Sequence, residues 1–600
     1  MKRMLRILAL MMALLLLAAC SDKSSGQTQP SASHSGEGGT TLPGIGSTQR
    51  EPIHAAQSKE ELFRLFSAAS ADDPIPDAPG ENDTADFPAN DEGATQAAAG
   101  YEENNFVKSD SGKLYILGAA DFKILAANGK DTALLSTTNI LTAGTSNFET
   151  TDALYVFGNM VAVISTVEVF NDSDGQMNYE DLCNVKLYDV TDPKAPKLKD
   201  SFVQDGSYRN SYMVQGRLVV ASEDYKFSPQ QELDKSYLPC VWDGEAAQAL
   251  APERIFVCPD ESANAYTIVS TVDMTSAQRE DSCAFTGESK SIYMDDTGVY
   301  LARTVSNREV SEPYTEEQYT VVSVKSNVQT EVKMLTFDTG SLNMEAYAYV
   351  DGQLANRYAM NVYNGNLRLA TASEQSNYQI YTDEKYGWSN YRVGESSASN
   401  NIFVFDAALQ QIGALTELAP GAQLSTVWFV ENTAYVQADK AFAVDLRDAS
   451  ALKAVEQTEQ KMACSDMRLY QPGTLFALGV DESVTMQTAL LDASDPGNVQ
   501  VRAQLALQDY DWNNAANYPH ALAADAALGV IALPVDGAYA VLSCDGQSLK
   551  LQGTVPFAAL SDRTRGIFVD NTLYLCDPQM VTVAAADTLT VLANIGFGVG

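Results

Sequence analysis

The sequence predicts an all-β fold, a single large β-propeller of eight or nine four-stranded blades preceded by a disordered tether. From about residue 105 onward, apolar residues alternate as in strands, and only short turns with Gly, Asn or Asp interrupt them. Similar phrases recur before acidic turns, namely KLYDVTDP, IFVFDAAL, FAVDLRDA and ALLDASDP. No helical crossover separates these units, so their sheets bury both faces only by stacking around an axis.

Two other all-β architectures compete with the propeller. A parallel β-helix would need coils that are shorter and more regular than units spaced by about 35 to 80 residues. A row of separate β-sandwiches would need linkers between domains, and the sequence shows none after residue 105. The propeller is therefore the favoured architecture.

The stretch from Asn184 to Ser222 shows the repeat most clearly. The alternation in VKLY is followed by Asp192-Pro193, where proline removes a backbone donor and interrupts strand pairing. Gly216 turns a later hairpin. We expect the outer strands of one blade to end at Asp192-Pro193 and the inner hairpin of the next blade to begin near Ser211. The Asp-Gly-Ser-Tyr segment between them is interpreted as a structural crossover.

Charge excludes several classes of partner. The 600 residues include 39 basic and 78 acidic side chains, which gives a formal net charge of −39. Such a charge opposes approach to nucleic acid or to an anionic lipid surface, so no nucleic-acid partner is expected. There are three histidines, and only His520 lies in the predicted folded part. Mechanisms that need two histidines are therefore disfavoured.

The N-terminus resembles a bacterial lipoprotein signal. Basic residues precede the apolar run from Ile7 to Leu17, and small residues lead to Cys20. We therefore expect residues 1–20 to be a signal with Cys20 as the lipid attachment site; an ordinary secretory signal is the alternative. We expect residues 21–100 to form a low-complexity acidic tether with a short helix near 58–69, and residues 101–600 to form the propeller. The chain is expected outside the cytoplasm, contacting the membrane through its lipid only.

Seven cysteines remain after Cys20. The pair Cys240 and Cys258, in one long insertion, is the most natural candidate for a disulfide in an exported chain. Cys464, Cys544 and Cys576 are expected as buried thiols in strands. The sequence contains no CxxC motif, so it does not support a zinc or thioredoxin-like site.

The acidic segment from Asn171 to Asp181 has the alternating oxygen donors of calcium loops. Asp172, Asp174 and Asp181 are the candidate ligands, and calcium is the only cofactor considered. Phe170 occupies the position of the first EF-hand ligand, and the twelfth position carries Asp181 instead of Glu. A solvated turn between two strands of a blade is the alternative and the favoured interpretation.

Two loops concentrate aromatic residues among polar ones and are predicted to form the binding face. Exposed Tyr and Trp side chains suit contacts with a glycan ring or a protein surface. The alternative is that they pack together to close long loops. The candidate residues are Tyr378, Tyr381, Tyr386, Trp388 and Tyr391 in the first loop, and Tyr510 and Trp512 in the second.

Catalytic motifs are missing from the sequence. It contains no GxSxG, HExxH or GxxxxGK[ST] pattern. His520 is a candidate base beside Asp511 or Asp525, although a lone histidine next to a strand is more often structural. Paired carboxylates at the channel mouth would suit an extracellular hydrolase of peptide or polysaccharide. No catalytic residue is assigned.

Three segments resemble a known family. They are Phe106 to Gly112 followed by KLYIL, Val190 to Pro196 with the later DGSY, and LAPG at 418–421 followed by VWF and AYV. Together they are similar to secreted bacterial β-propeller proteins distantly related to WD-repeat propellers. The resemblance implies the fold and export, but no activity. The family tends to carry histidine at the position of Gln471, so a role for that histidine does not transfer.

These observations favour a non-enzymatic, surface-anchored propeller that binds an extracellular protein or a cell-wall glycan, as a monomer. The extracellular hydrolase is the competing class. A third hypothesis is a scaffold in envelope assembly.

Overall fold

In the computed structural model, residues 52–68 and 101–598 are described, with short internal gaps. The gaps are at 104, 143–147, 174–175, 227–236, 245, 259–263, 290, 338–339, 384, 387, 395, 458–461, 509, 511–514 and 516–517. Cys20 and most of the predicted tether therefore lie outside the described residues. The described part of the chain is built almost entirely of antiparallel strands arranged as nine four-stranded blades.

Three short elements precede the blades: β1 (His54–Ala55), α1 (Lys59–Ala68) and β2 (Tyr101–Glu103). Blade 1 contains β3 (Val107–Asp110), β4 (Lys113–Leu117), β5 (Asp121–Ala126) and β6 (Ala133–Asn139). Blade 2 contains β7 (Phe148–Phe157), β8 (Met160–Ser173), β9 (Gln176–Asp189) and β10 (Lys197–Asp205).

Blade 3 contains an insertion between its second and third strands. Its strands are β11 (Ser207–Val214), β12 (Arg217–Tyr225), β16 (Ala265–Asp273) and β17 (Gln278–Thr286). Of the inserted strands, β13 (Cys240–Trp242) and β14 (Gln248–Ala249) extend the sheet of blade 2 through β10, and β15 (Ile255–Val257) pairs with β17. Blade 4 contains β18 (Ser291–Met294), β19 (Val299–Val310), the inserted β20 (Tyr314–Glu316), β21 (Tyr319–Thr336) and β22 (Asn343–Asp351).

Blade 5 also carries extra strands. It contains the short β23 (Gln353–Leu354), then β24 (Met360–Tyr363), β25 (Asn366–Asp383), the inserted β26 (Trp388–Val393), β27 (Ser397–Phe405) and β28 (Gln411–Leu418). Blade 6 contains β29 (Thr426–Val430), β30 (Thr433–Gln437), β31 (Ala441–Asp445) and β32 (Lys453–Glu456).

The last three blades have four strands each. Blade 7 contains β33 (Ala463–Gln471), β34 (Thr474–Val480), β35 (Met486–Asp492) and β36 (Gln500–Leu507). Blade 8 contains β37 (Ala523–Asp525), β38 (Val530–Val535), β39 (Ala538–Cys544) and β40 (Leu549–Pro556). Blade 9 contains β41 (Arg565–Val569), β42 (Thr572–Asp577), β43 (Met580–Ala585) and β44 (Val591–Gly596).

The core lies between neighbouring blades. Both faces of each middle strand carry buried apolar residues, and seven apolar clusters fill the nine junctions around the ring. One of these clusters joins blade 9 to blades 1 and 2, so the ring is closed. The predicted all-β propeller is confirmed, with nine blades within the predicted range of eight or nine.

The ring closes without exchange of strands between its ends, because blades 1 and 9 are each built from one continuous segment. Side chains make the junction. The backbone N–H of Gly129 donates to the Tyr574 hydroxyl over 2.9 Å, and Arg563 donates to the Thr151 carbonyl over 2.9 Å. The guanidinium of Arg563 also lies 4.4 Å from the centre of the Phe106 ring.

The two ends of the propeller differ greatly. In antiparallel blades, the connections between strands 2 and 3, and those between successive blades, lie on one face; we call this the insertion face. The long additions of blades 2 to 5 all lie there: the extended β8–β9 hairpin and residues 226–264, 305–327 and 375–397. On the opposite face the connections are short. There, aspartates such as Asp189, Asp492 and Asp545 accept hydrogen bonds from backbone N–H groups two residues on.

The blade boundary predicted within 184–222 is wrong. The Asp192-Pro193 turn joins strands 3 and 4 of blade 2, and the next blade begins at Ser207. Gly206 alone connects β10 to β11, with φ of 88°. A Cβ at this glycine would lie 2.3 Å from the Glu223 carbonyl oxygen, so only glycine fits this crossover.

The N-terminal segment packs on the ring at blade 3. The strand β1 pairs with β15, and α1 buries Leu62 and Phe66 fully. Ser58 Oγ accepts from the Glu61 N–H over 3.2 Å, which caps the helix. The ring of Phe66 stacks on Tyr266 with centroids 4.6 Å apart. The strand β2 pairs with β11, the innermost strand of the same blade. The N-terminal segment therefore contacts blade 3 at its outer edge through β1 and at its inner edge through β2.

The seven cysteines of the described part are all thiols, and six of them are buried. The expected pairing of Cys240 with Cys258 is therefore not formed. Cys240 begins β13, whereas Cys258 follows β15 and lies 3.9 Å from the Lys333 amine. Burial raises the pKa of Cys283 to about 12 and that of Cys576 further, so these thiols stay protonated.

Within the described residues, no helix has the length and apolar character needed to span a membrane.

Candidate functional site

A β-sheet flap rises from the insertion face where blades 4 and 5 meet. We define the flap as residues 305–327 and 375–393. Its strands are the end of β19 with β20, the first half of β21, the second half of β25, and β26. The central pairing joins the two blades, because Val321 lies opposite Tyr381 and Val324 opposite Tyr378. The flap is thus a four-stranded sheet made from two blades.

The alternation of side chains gives the flap two different faces. One face carries Val322, Val324, Tyr378, Ile380 and Tyr391, which form a small apolar cluster; we call it the packed face. The other carries polar and aromatic side chains, and we call it the aromatic face. Its aromatic members are Tyr314, Tyr319, Tyr381 and Trp388.

The aromatic face holds a cluster of rings in edge contact. The Tyr319 ring lies 6.0 Å from Tyr381 and 5.8 Å from Trp388, with interplanar angles of 82° and 63°. These rings cover Val321, which is fully buried. Trp388 nevertheless keeps 43% of its surface exposed. The cluster therefore presents a firm apolar surface to solvent.

Gln379 links this cluster by hydrogen bonds. Its amide nitrogen donates to the Tyr314 hydroxyl over 2.8 Å, and its amide oxygen lies 3.2 Å from the Tyr381 hydroxyl. The same hydroxyl lies 3.3 Å from a Glu316 carboxylate oxygen. A hydrogen bond between Tyr381 and Arg392 raises the pKa of the arginine. The rings are therefore held in fixed positions.

A trough of about 570 Å³ adjoins the aromatic cluster. Its floor is the backbone of one row across the four strands, Val310, Val324, Tyr378 and Val393, whose side chains point to the packed face. The residues one position before or after them point to the aromatic face and supply its walls. The walls are formed by Glu309, Ser311, Ser323, Lys325, Asn377, Gln379 and Arg392.

The structure separates the aromatic residues predicted to bind ligand. Tyr381 and Trp388 lie on the aromatic face. Tyr378, only 2% exposed, and Tyr391 lie on the packed face. Tyr386 is in the turn at the flap tip, 67% exposed, with the Lys385 amine 5.0 Å from its ring centre.

The second predicted loop connects blades 7 and 8 on the insertion face. Tyr510 is partly buried and packs against the cluster between those two blades. Trp512 lies outside the described residues, as does Asp511. His520 lies in a short 3-10 turn from Pro519 to Ala521. The described part of this loop therefore supports packing more than ligand contact.

The candidate calcium residues belong to a continuous hairpin. β8 and β9 pair up to Ser173 and Gln176, and Asp174 lies outside the described residues. Asp172 lies opposite Met177, and Asp181 lies opposite Glu168. These ladder positions are four residues apart, or about 14 Å along the strand. The backbone positions of Asp172 and Asp181 are therefore well separated along the hairpin.

A buried ionic cluster anchors the root of the flap. Arg303 makes two hydrogen bonds to Glu331, of 2.7 and 3.0 Å, and Lys333 lies 3.2 Å from the same carboxylate. The Tyr349 hydroxyl donates to it over 2.7 Å. Burial opposes the charge on Glu331, but Lys333, Arg303 and Tyr349 outweigh burial and lower its pKa to about 2. The Lys333 amine also lies 5.1 Å from the centre of the Phe285 ring of blade 3.

Tyr314, Tyr319 and the polar residues of the trough are not among the residues predicted from the sequence. Tyr314 and Tyr319 lie in a charged hairpin, and the sequence alone does not pair this hairpin with the loop around Tyr381. A local signal did exist, because both segments carry tyrosines among polar residues in extended patterns. The site becomes visible only through the register of β21 with β25.

A model of the family described as Beta propeller domain matches residues 96–589. The chain belongs to the β-propeller domain family. This match covers all nine blades except β44, the last strand of blade 9. It agrees with the resemblance inferred from Phe106 to Gly112 and the later segments.

The chain is also similar to proteins of two archaea. It is 26% identical over 250 residues to an uncharacterized protein of Archaeoglobus fulgidus, covering 40% of this chain and only 36% of that relative. It is 21% identical over 457 residues to the uncharacterized protein MJ1554 of Methanocaldococcus jannaschii, covering 65% of this chain and 69% of that relative.

Among solved structures, Sqt1 of Saccharomyces cerevisiae is similar over 73% of this chain and 93% of its own, at 10% identity and a TM-score of 0.31. Hsv2p of Kluyveromyces lactis is similar over 58% of this chain and 96% of its own, at 10% identity and a TM-score of 0.24. In general terms, the propeller domain supports a binding or scaffolding role.

Proposed function

We propose that this propeller is an extracytoplasmic binding module that captures its ligand with the aromatic face of the flap. The lipid on Cys20 would hold it at a bacterial cell membrane, as the N-terminal sequence suggests. Exposed Trp388, in a ring cluster that adjoins a walled trough, is the observation that carries the proposal. Propellers place binding loops at the ends of their channel, and here the elaborated end is the insertion face.

The organisation of the flap supports binding more than catalysis. Its rings and amide are fixed by contacts within the sheet, so little conformational entropy is lost when a ligand orders them. Of the described residues that wall the trough, one is a carboxylate, Glu309. A glycoside hydrolase would use a pair of carboxylates. The described trough therefore favours the binding module over the hydrolase.

Retention on cell envelopes tests this function. Purified full-length protein would be mixed with envelopes of the source cells and sedimented. We expect the wild type to sediment with the envelopes, and a variant with Tyr381→Ala and Trp388→Ala to stay in solution.

Tyr225→Ala is the matched control, because Tyr225 is a half-exposed tyrosine on blade 3, outside the flap. Equal sedimentation of the wild type and the flap variant would contradict the proposed function.

A further inference from the structure

We propose that the trough and the adjoining rings bind an uncharged polysaccharide, with one sugar ring against Trp388 and the hydroxyls of another sugar of the same chain at Gln379 and Arg392. This inference rests on the proposed function and names the chemical class of its ligand. It follows from three properties of the aromatic face: its ring surface, its planar polar groups and its charge balance.

The ring surface suits the C–H face of a pyranose. Trp388 is anchored by Tyr319 on one side and remains 43% exposed on the other. Tyr381 lies two residues from Gln379 on β25, so ring and amide project from the same face about 7 Å apart. A sugar placed against the Tyr381 ring therefore has polar groups within reach of its edge.

The polar groups suit neighbouring hydroxyls. Both amide N–H groups of Gln379 donate within the sheet, to Tyr314 and Ser323, so its amide oxygen offers the remaining acceptor site. Asn377 adds an amide and Arg392 a fork of donors. Gln379 and Arg392 lie opposite each other on β25 and β26. Their hydrogen bonds to Tyr314 and Tyr381 fix their orientation before a ligand arrives.

Charge balance favours a neutral ligand. The trough walls carry the cations Lys325 and Arg392 and the anion Glu309, while Glu316 lies beside Tyr381. These charges cancel locally. The whole chain carries a net charge of −39, which repels polyanions at long range. An uncharged polysaccharide is not repelled by this net charge and needs no excess of charge in the trough.

The dimensions favour a glycan over a protein. Stable protein interfaces bury about 800 Å² on each partner and are mostly flat. The trough is concave, and its volume of about 570 Å³ lies in the range of small-ligand sites. A peptide pairing with the edge of β26 away from β25 would leave the trough empty. Binding of such a peptide is one possible result of the titration described below.

Isothermal titration of the full-length protein tests the inference. The probes are hexamers of β-1,4-glucose, α-1,4-glucose and N-acetylglucosamine, with polygalacturonate as the anionic arm and an extended hexapeptide as the peptide arm. We expect at least one neutral hexamer to bind. Trp388→Ala should weaken that binding about 30-fold, as loss of a central aromatic contact does. Gln379→Ala should weaken it about 10-fold through lost hydrogen bonds.

Tyr225→Ala should leave the affinity within about 2-fold, as a surface change outside the site does. Circular dichroism and melting temperature show whether each variant is folded. Trp388 and Gln379 are replaced in separate proteins, so if one variant does not fold, the other still tests the inference. Three results would overturn the inference: no neutral hexamer binds, only the anionic or peptide probe binds, or neither variant weakens binding. If the flap variant still fails to sediment with envelopes while no hexamer binds, the sugar assignment fails and the proposed function stands.

Discussion

Replacing Glu331 by glutamine should destabilise the propeller strongly without changing the shape of the side chain. The carboxylate is fully buried and shared by Arg303, Lys333 and the Tyr349 hydroxyl. Neutral glutamine would leave two buried cations without a counter-charge. Breaking a buried ion pair in this way costs about 3–5 kcal/mol. Moving the pKa of a glutamate from about 4.3 to about 2 corresponds to about 3 kcal/mol, which agrees.

The pH dependence provides a second test. Because the folded pKa of Glu331 lies below the unfolded value, its contribution to stability is complete above pH 5 and is lost as pH falls toward 2. Glu331→Gln has no such titration. The difference in unfolding free energy between the two proteins should therefore shrink to about half by pH 3.

Urea unfolding, followed by fluorescence and circular dichroism at pH 7 and at pH 3, measures both effects. Glu345→Gln is the control, because Glu345 is an exposed residue of the adjacent strand β22, and its change should stay within about 0.5 kcal/mol. A loss below about 1 kcal/mol for Glu331→Gln, or a difference independent of pH, would refute the reasoning.

Three further predictions concern other parts of the chain. Gly206→Ala should destabilise the ring by more than the 1–3 kcal/mol typical of a left-handed residue, because its Cβ meets the Glu223 carbonyl. Gly537→Ala, with φ of 67° and open space around it, is the control. Equal melting temperatures for the two variants would contradict the prediction. Phe66→Ala should undock α1, which is too short to be stable alone, so trypsin should cut after Arg64 faster while the ring stays intact; unchanged cleavage would show that Phe66 does not hold the helix. Cys20→Ala should abolish incorporation of labelled fatty acid and release the protein from membranes, and a variant that stays labelled would exclude Cys20 as the acceptor.

The fold could be predicted because each blade repeats a local pattern. Alternating residues bury both faces of the strands, and this alternation is visible in the sequence. The blade boundary at Gly206 could not be placed, because one residue makes the crossover whereas the acidic turn at Asp192-Pro193 looks like an end. Turn chemistry shows that a strand stops, but not whether the next strand belongs to the same sheet.

The candidate site could be predicted only in part. The loop containing Tyr381 and Trp388 was recognised from its aromatic content, but Tyr378 and Tyr391 point to the packed face. Which face a residue occupies depends on the pairing of β21 with β25, whose partners Val321 and Tyr381 are 60 positions apart. A register between distant strands leaves no local trace, and a shift of one residue would exchange the two faces.

Hydrogen–deuterium exchange of the full-length protein, with and without source-cell envelopes, tests most directly the claim that the flap captures the ligand. Bound ligand should slow amide exchange in peptides that cover residues 314–325 and 377–393, while the turns of the opposite face exchange as before. Protection confined to those opposite turns, or to the innermost strands of the channel, would contradict the account.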